Sequence, residues 1–172
     1  QNNMSVPTPS KDVVDDILDQ WSEERPELDT AALGVVVRIM TLHRRFAADA
    51  AKALEPLGLE LFEYDVLSAL RRQGAPFSLP ATSLARETDL SAGAMTNRID
   101  RLEERGLVAR RTDPADRRSV IVRLTAKGRR AINEAILVRL ETARDALRSL
   151  NEAEQRKLAG MLRSVLSSAD SG

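Results

Sequence analysis

Between residues 91 and 125 the chain switches its periodicity from helical to strand-like and back. Ser91 precedes apolar residues at helical spacing, Ala92, Met95, Ile99 and Leu102, and Gly106 stands where a helix that ends in the left-handed conformation places glycine. Directly after it come two short β-branched runs, residues 107–112 and 119–124. Between them lies Asp113-Pro114-Ala115-Asp116-Arg117-Arg118, a run of turn formers. Thr125 then takes an N-cap position for a long helix reaching to about Leu150. A capped helix, an arginine-tipped hairpin and a second capped helix so close together leave few ways to fold.

The flanking segments are helical. Val14, Ile17, Leu18 and Trp21 fall at i, i+3, i+4, i+7, which predicts an amphipathic helix over residues 11–24, ended by Pro26. Asp29 or Thr30 offers the N-cap of a long helix with the stripe Leu33, Val36, Val37, Met40, Ala47, Ala51, Leu54, closed by Pro56-Leu57-Gly58. A third helix is expected over residues 61–72, and a short fourth from Pro80, as first helical residue, to Glu87. Asn151 with Glu154 forms a capping-box-like start for a last helix bearing Leu158, Met161, Leu162, Val165 and Leu166. Helix, short helix, capped helix and basic hairpin is the order of a winged helix-turn-helix. The expected fold class is therefore mainly α with a small β-hairpin wing, dimerised through its N- and C-terminal helices. Residues 59–124 form the expected DNA-binding lobe, and 11–58 with 125–168 the helical dimerisation region. Residues 1–10 and 169–172 are expected to be disordered.

Charge supports this division. The 172 residues carry 26 basic and 26 acidic side chains, a balance that speaks against a nucleic-acid partner until it is divided along the chain. Residues 1–30 then sum to −6 and residues 91–130 to +6, with 11 of the 26 cations in that second window. Composition narrows the chemistry further. The chain has no cysteine and one histidine, His43, which excludes thiol chemistry and offers no metal-ligand spacing or nucleophile-base set. No cofactor, no metal and no enzymatic activity are expected. His43 reads as an interface residue at the edge of its stripe rather than a sensor. Without a signal peptide or a run of apolar residues long enough to span a bilayer, the expected location is cytoplasmic, with no membrane partner.

On a helical wheel, Gly93, Ala94, Asn97 and Arg101 lie opposite the 92/95/99/102 stripe. Asn and Arg are the side chains that pair bidentately with adenine and guanine edges. Ser91 and Thr96, near the helix N-terminus, are placed for phosphate contacts, and Gly93 and Ala94 leave room for close approach. Arg117 and Arg118 sit at the hairpin tip. Two long terminal helices carry more apolar surface than one chain covers, which predicts a homodimer and hence a pseudo-palindromic double-stranded operator.

Phe62-Glu63-Tyr64-Asp65-Val66-Leu67-Ser68-Ala69-Leu70, Met95-Thr96-Asn97-Arg98-Ile99-Asp100-Arg101-Leu102-Glu103-Glu104-Arg105-Gly106-Leu107-Val108, the turn Asp113 to Ser119, and Leu124-Thr125-Ala126-Lys127-Gly128 together resemble the MarR family of bacterial transcription regulators, over about residues 30–168. The resemblance implies an obligate dimer whose terminal helices interleave. It also implies that Asp116 braces the wing through an arginine such as Arg118, while Arg117 probes the minor groove. A simple turn role is the alternative for Asp116.

The extra N-terminal helix, with Asp19-Gln20-Trp21-Ser22-Glu23-Glu24, resembles that of the urate-responsive, PecS-like branch. That branch implies an anionic effector held by residues matching Trp21, Asp65, Arg98 and Arg110, either urate or a tricarboxylate such as trans-aconitate or citrate. On the wheel, Arg98 and Asp65 lie at the margins of buried faces, so each is expected to pair with the other or with a ligand. The alternatives are core packing for Trp21, a structural salt bridge for Asp65 with Arg98, and a phosphate contact for Arg110. The expected function is a ligand-responsive repressor; the alternative is a constitutive repressor or architectural protein.

Overall fold

A computed structural model of the chain describes residues 10–88, 90–116 and 118–169. They divide into two units, one up to Ala48 and one from Asp49 onward. The elements run α1 (Val13–Glu24), α2 (Ala31–Leu54), a 3-10 turn (Glu55–Leu57), α3 (Leu61–Arg72), β1 (Ser78–Pro80), α4 (Ala81–Glu87), α5 (Ala92–Glu104), β2 (Val108–Thr112), β3 (Val120–Leu124), α6 (Ala126–Ala146) and α7 (Glu152–Ala169).

In the first unit, Asp12 caps α1 by accepting from the main-chain N–H of Val14 and Asp15, and the Asp15 carboxylate accepts from the N–H of Asp12. The same two carboxylates take Arg38 of α2, whose Nε lies 2.9 Å from Asp12 Oδ2 and Nη2 2.6 Å from Asp15 Oδ1. Gly34 makes this approach possible, because a Cβ there would stand 2.8 Å from Leu18 Cδ1. Only Val14 of α1 is buried. Leu33, Val36 and Met40, expected in the apolar stripe of α2, are exposed on this single chain.

The second unit holds an aliphatic core. Leu54, Val66, Leu67, Leu70, Leu84, Met95, Ile99, Leu102, Leu107, Val122, Leu124 and Ile132 pack together, drawn from α2, α3, α4, α5, the strands and α6. Removing these side chains from water supplies the lobe's main stabilisation, about 1.5–3 kcal/mol for each fully buried Leu, Ile, Val or Met. Ala92 does not join them. It is exposed at the first position of α5, so the buried stripe is Met95, Ile99 and Leu102.

The wing is a three-stranded antiparallel sheet in the order β1-β3-β2, not the expected two-stranded hairpin. Ser78 pairs with Arg123 and Pro80 with Ile121 on one side of β3, and Val108 with Leu124 and Thr112 with Val120 on the other. Pro80 closes β1 and is the N-cap of α4 rather than its first helical residue. The helix after Thr125 stops at Ala146, because Leu147, Arg148 and Leu150 donate three residues back and wind the chain too tightly to continue. No residue of α7 is buried, and Met161, Leu162, Val165 and Leu166 face outward.

Candidate nucleic-acid interface

The lobe presents α5 by fixing both its ends. At the N-terminus, Ser91 Oγ accepts from the N–H of Ala94 at 3.2 Å. At the C-terminus, Gly106 (φ 68°) turns the chain so that Leu107 can donate to the carbonyl of Leu102 at 2.9 Å. Thr125 then reaches back, its hydroxyl donating to the carbonyls of Gly106 (2.7 Å) and Leu107 (3.1 Å) while accepting from the N–H of Gly128. Gly128 lies so close to Leu107 that a Cβ would stand 1.9 Å from its carbonyl oxygen. This glycine and its threonine therefore lock α6 against the joint between α5 and the wing.

Of the residues expected to meet DNA, Ser91, Gly93, Thr96 and Asn97 are exposed, and Ala94 is half-buried. The Thr96 hydroxyl donates to the carbonyl of Ala92 at 3.0 Å. Arg101 is not extended from the helix. Its Nη2 lies 2.6 Å from Glu60 Oε1, and its guanidinium stands 4.9 Å from the centre of the Phe62 ring. At the wing tip, Asp116 Oδ1 accepts from the N–H of Arg118 at 3.0 Å and stands 3.7 Å from its Nε, while the Arg118 side chain is 96 % exposed. Arg117 lies outside the described residues.

The residues expected to bind an effector fall in different places. Trp21 is in the first unit and 43 % exposed. Asp65, Arg98 and Arg110 belong to the second. Arg98 lies over the Phe62 ring at 4.8 Å, and the direct Asp65–Arg98 ion pair that the sequence allowed is not made. Asp65 sits at the surface, yet the side chains around it strip enough water to push its carboxyl above the ordinary range, against the pull of Arg139, Arg98 and Arg72. It borders a cleft of about 450 Å³ with Tyr64, Ser68, Arg72, Glu87 and Thr88. Arg110 is engaged. Its N–H and Nε donate to the two oxygens of Glu103 at 2.9 and 2.8 Å, and its Nη1 donates to Asp100 Oδ1 at 2.5 Å. The main-chain donor and then the guanidinium hold Glu103 below the usual carboxylate range, and β2 is tied to the recognition helix.

Sequence reasoning missed the partners of these arginines. Glu63 of α3 is fully buried, its Oε2 accepting from the N–H of Glu60 at 3.0 Å and pairing with Arg105, whose Nη2 donates to the carbonyl of Gly58 at 2.7 Å. The pair Glu60 and Glu63, three apart at a helix start, was the available signal. Arg139 of α6 lies over Tyr64, with a buried Nε that has no hydrogen-bond partner. Among the described residues no group of three or more His, Cys, Asp or Glu could hold a metal ion, and no helix is long and apolar enough to cross a membrane.

Residues 57–119 match the model of the MarR family. The chain is 32 % identical over 149 residues to the HTH-type transcriptional regulator PecS of Dickeya dadantii, covering 87 % of this chain and 90 % of that protein. Among solved structures, Bordetella bronchiseptica BpsR, whose DNA binding is described as regulated by 6-hydroxynicotinic acid, superposes with a TM-score of 0.68 at 28 % identity, covering 76 % of this chain and 97 % of that one. A mutant MarR of E. coli complexed with operator DNA has the same fold, with a TM-score of 0.69 at 24 % identity, over 85 % of this chain and 97 % of that one.

Proposed function

Because the chain belongs to the MarR family of DNA-binding transcriptional regulators, and is not an enzyme, we propose that it is a cytoplasmic repressor that grips a pseudo-palindromic operator as a homodimer and releases it when a small anionic metabolite binds. The observation that carries the DNA half is the presentation of α5. Its apolar side is buried, its ends are capped, and Ser91, Gly93, Thr96 and Asn97 face solvent beside an arginine-bearing wing. Asn97 reads a base edge, Ser91 and Thr96 set register on phosphates, and Arg117 and Arg118 extend the grip to the flanking groove.

The dimer is supported by the apolar residues left exposed on α2 and α7, among them Val36, Met40, Val165 and Leu166. Two copies of α5 about 34 Å apart then meet two half-sites one helical turn apart.

Support for an effector comes from the acid and arginines gathered around α3. Burial pushes the Asp65 carboxyl up, Arg98 lies beside it on a flank of the recognition helix, and an anion taken by that guanidinium acts on α5 directly. Arg110 enters through its partners. An anion that drew it from Asp100 and Glu103 would unfasten β2 from α5. The effector class is urate or a tricarboxylate such as citrate or trans-aconitate. The link of BpsR to 6-hydroxynicotinic acid supports a compact carboxylate as the general type.

The test is an operator titration by fluorescence anisotropy at constant ionic strength, with urate, citrate, trans-aconitate and 6-hydroxynicotinate added in turn and sulfate as the salt control. Release by one of them corresponds to a coupling of about 1–3 kcal/mol, roughly 5- to 150-fold in affinity, and must be reciprocal. Unchanged affinity with all four would leave a constitutive regulator.

A further inference from the structure

Three guanidinium groups along one side of α5 and its C-cap, those of Arg98, Arg101 and Arg105, all dock on the start of α3 and its N-cap. The Phe62 ring carries Arg98 and Arg101 at 4.8 and 4.9 Å, Glu60 takes Arg101 at 2.6 Å, and Glu63 takes Arg105. The two carboxylates differ in kind. Glu63 is fully buried and already serves the N–H of Glu60, so its pair with Arg105 is a fixed joint. Glu60 and Arg101 are 57 % and 55 % exposed, so this pair opens at little cost.

We propose that Glu60 is an internal competitor of DNA: it holds the guanidinium of Arg101 against Phe62 in the free protein, and operator binding must displace it. The geometry provides what such a device needs. Glu60 lies just before α3, and its Oε1 accepts from Arg101 Nη2 at 2.6 Å on the solvent side of that helix start. The Phe62 ring gives the guanidinium a platform on which it can pivot without leaving an apolar contact. Glu103 and Asp100 hold Arg110 in the same way, but with four donor contacts, so Arg101 is the more easily freed of the two. A phosphate or a guanine edge reached by Arg101 exchanges one anionic or polar acceptor for another, and the net gain from DNA is smaller than Arg101 alone would give. Glu60 thereby lowers affinity for every duplex while leaving the best-fitting one able to win.

The proposal rests on the reading of Arg101 as a DNA contact, and a double-mutant cycle separates the two. Operator affinity is measured for the full chain, Glu60→Gln, Arg101→Met and the double variant, with thermal melting as the folding control. Arg101→Met is expected to weaken binding; wild-type affinity there would remove Arg101 from the interface and the proposal with it. Glu60→Gln is expected to tighten binding about two- to fivefold, the range set by an exposed ion pair, with melting unchanged. In the Arg101→Met background that gain should vanish. A Glu60→Gln gain of equal size in both backgrounds would mean that Glu60 merely repels phosphate, and no gain at all would mean that it does not compete; either result overturns the proposal.

Discussion

Replacing Gly128 by alanine adds one methyl group at the point where α6 meets the joint between recognition helix and wing. The new Cβ would stand 1.9 Å from Leu107 O, 2.9 Å from Leu107 C and 3.3 Å from Leu107 Cα. A relaxed carbon–oxygen contact is about 3.3 Å, so the two backbones must separate by more than about 1 Å. Neither is free to move. Leu107 is 3 % exposed in the core, and its carbonyl accepts from both the main-chain N–H and the hydroxyl of Thr125, at 3.1 Å each. Overpacking of this kind costs roughly 1–3 kcal/mol, and loss of the Thr125 cap about 1 kcal/mol more. Alanine's better helix propensity returns up to about 1 kcal/mol. The net loss is about 1–3 kcal/mol, which for a chain of this size lowers Tm by roughly 3–10 °C. Calorimetric melting at fixed protein concentration reads it, with Gly160→Ala as control, since nothing lies within 4 Å of a Cβ there. Operator affinity should fall as well, because the displaced residue joins α5 to β2. A Gly128→Ala protein that melts within about 1 °C of wild type and binds operator normally would refute the packing argument.

Other variants separate neighbouring effects. Gly93→Ala meets nothing within 4 Å, so melting should rise by helix propensity while operator affinity falls as the methyl group holds the duplex away; unchanged affinity would take Gly93 out of the interface. Arg38 holds the carboxyl of Asp12 below its ordinary 3.8, so that contribution is present above the unfolded value and lost as pH falls through the folded one. Trp21 fluorescence should accordingly report α1 loosening below about pH 4 in wild type, and already at neutral pH in Arg38→Ala; a wild-type signal flat to pH 2 would contradict this. Asp65 shifts the other way. Burial raises its pKa, so its favourable contribution is present below 3.8 and lost as pH rises through the folded value. The melting difference between Asp65→Asn and wild type should therefore grow from acid to neutral pH, and a constant difference would argue against desolvation.

What the sequence revealed was local. Ser91, Thr125 and Asn151 announce helices because a cap acts within one turn, and each is found doing so. The hairpin was legible from β-branched runs around turn residues, but β1 was not, since three residues ending in proline show no alternation. The stripe of α5 was legible except at Ala92, whose burial depends on how far the body extends and not on periodicity. Least legible were the partners of the arginines. Residues 98, 101 and 105 share a face by spacing alone, but Glu60, Phe62 and Glu63 lie some forty residues away, and nothing local shows that Glu63 is a buried charge. The close approach of Gly128 to Leu107 is likewise a tertiary fact.

If α5 and the wing read duplex DNA as a symmetric pair, the preferred duplex must carry that symmetry. This is tested most directly by selecting bound duplexes from a random library with the full chain and repeating the selection with Asn97→Ala. The expected result is an inverted repeat with half-site centres about one helical turn apart, and loss of preference at one position in each half-site for the variant. Selection of no repeat, or of the same repeat with undiminished preference by the Asn97→Ala protein, would contradict it.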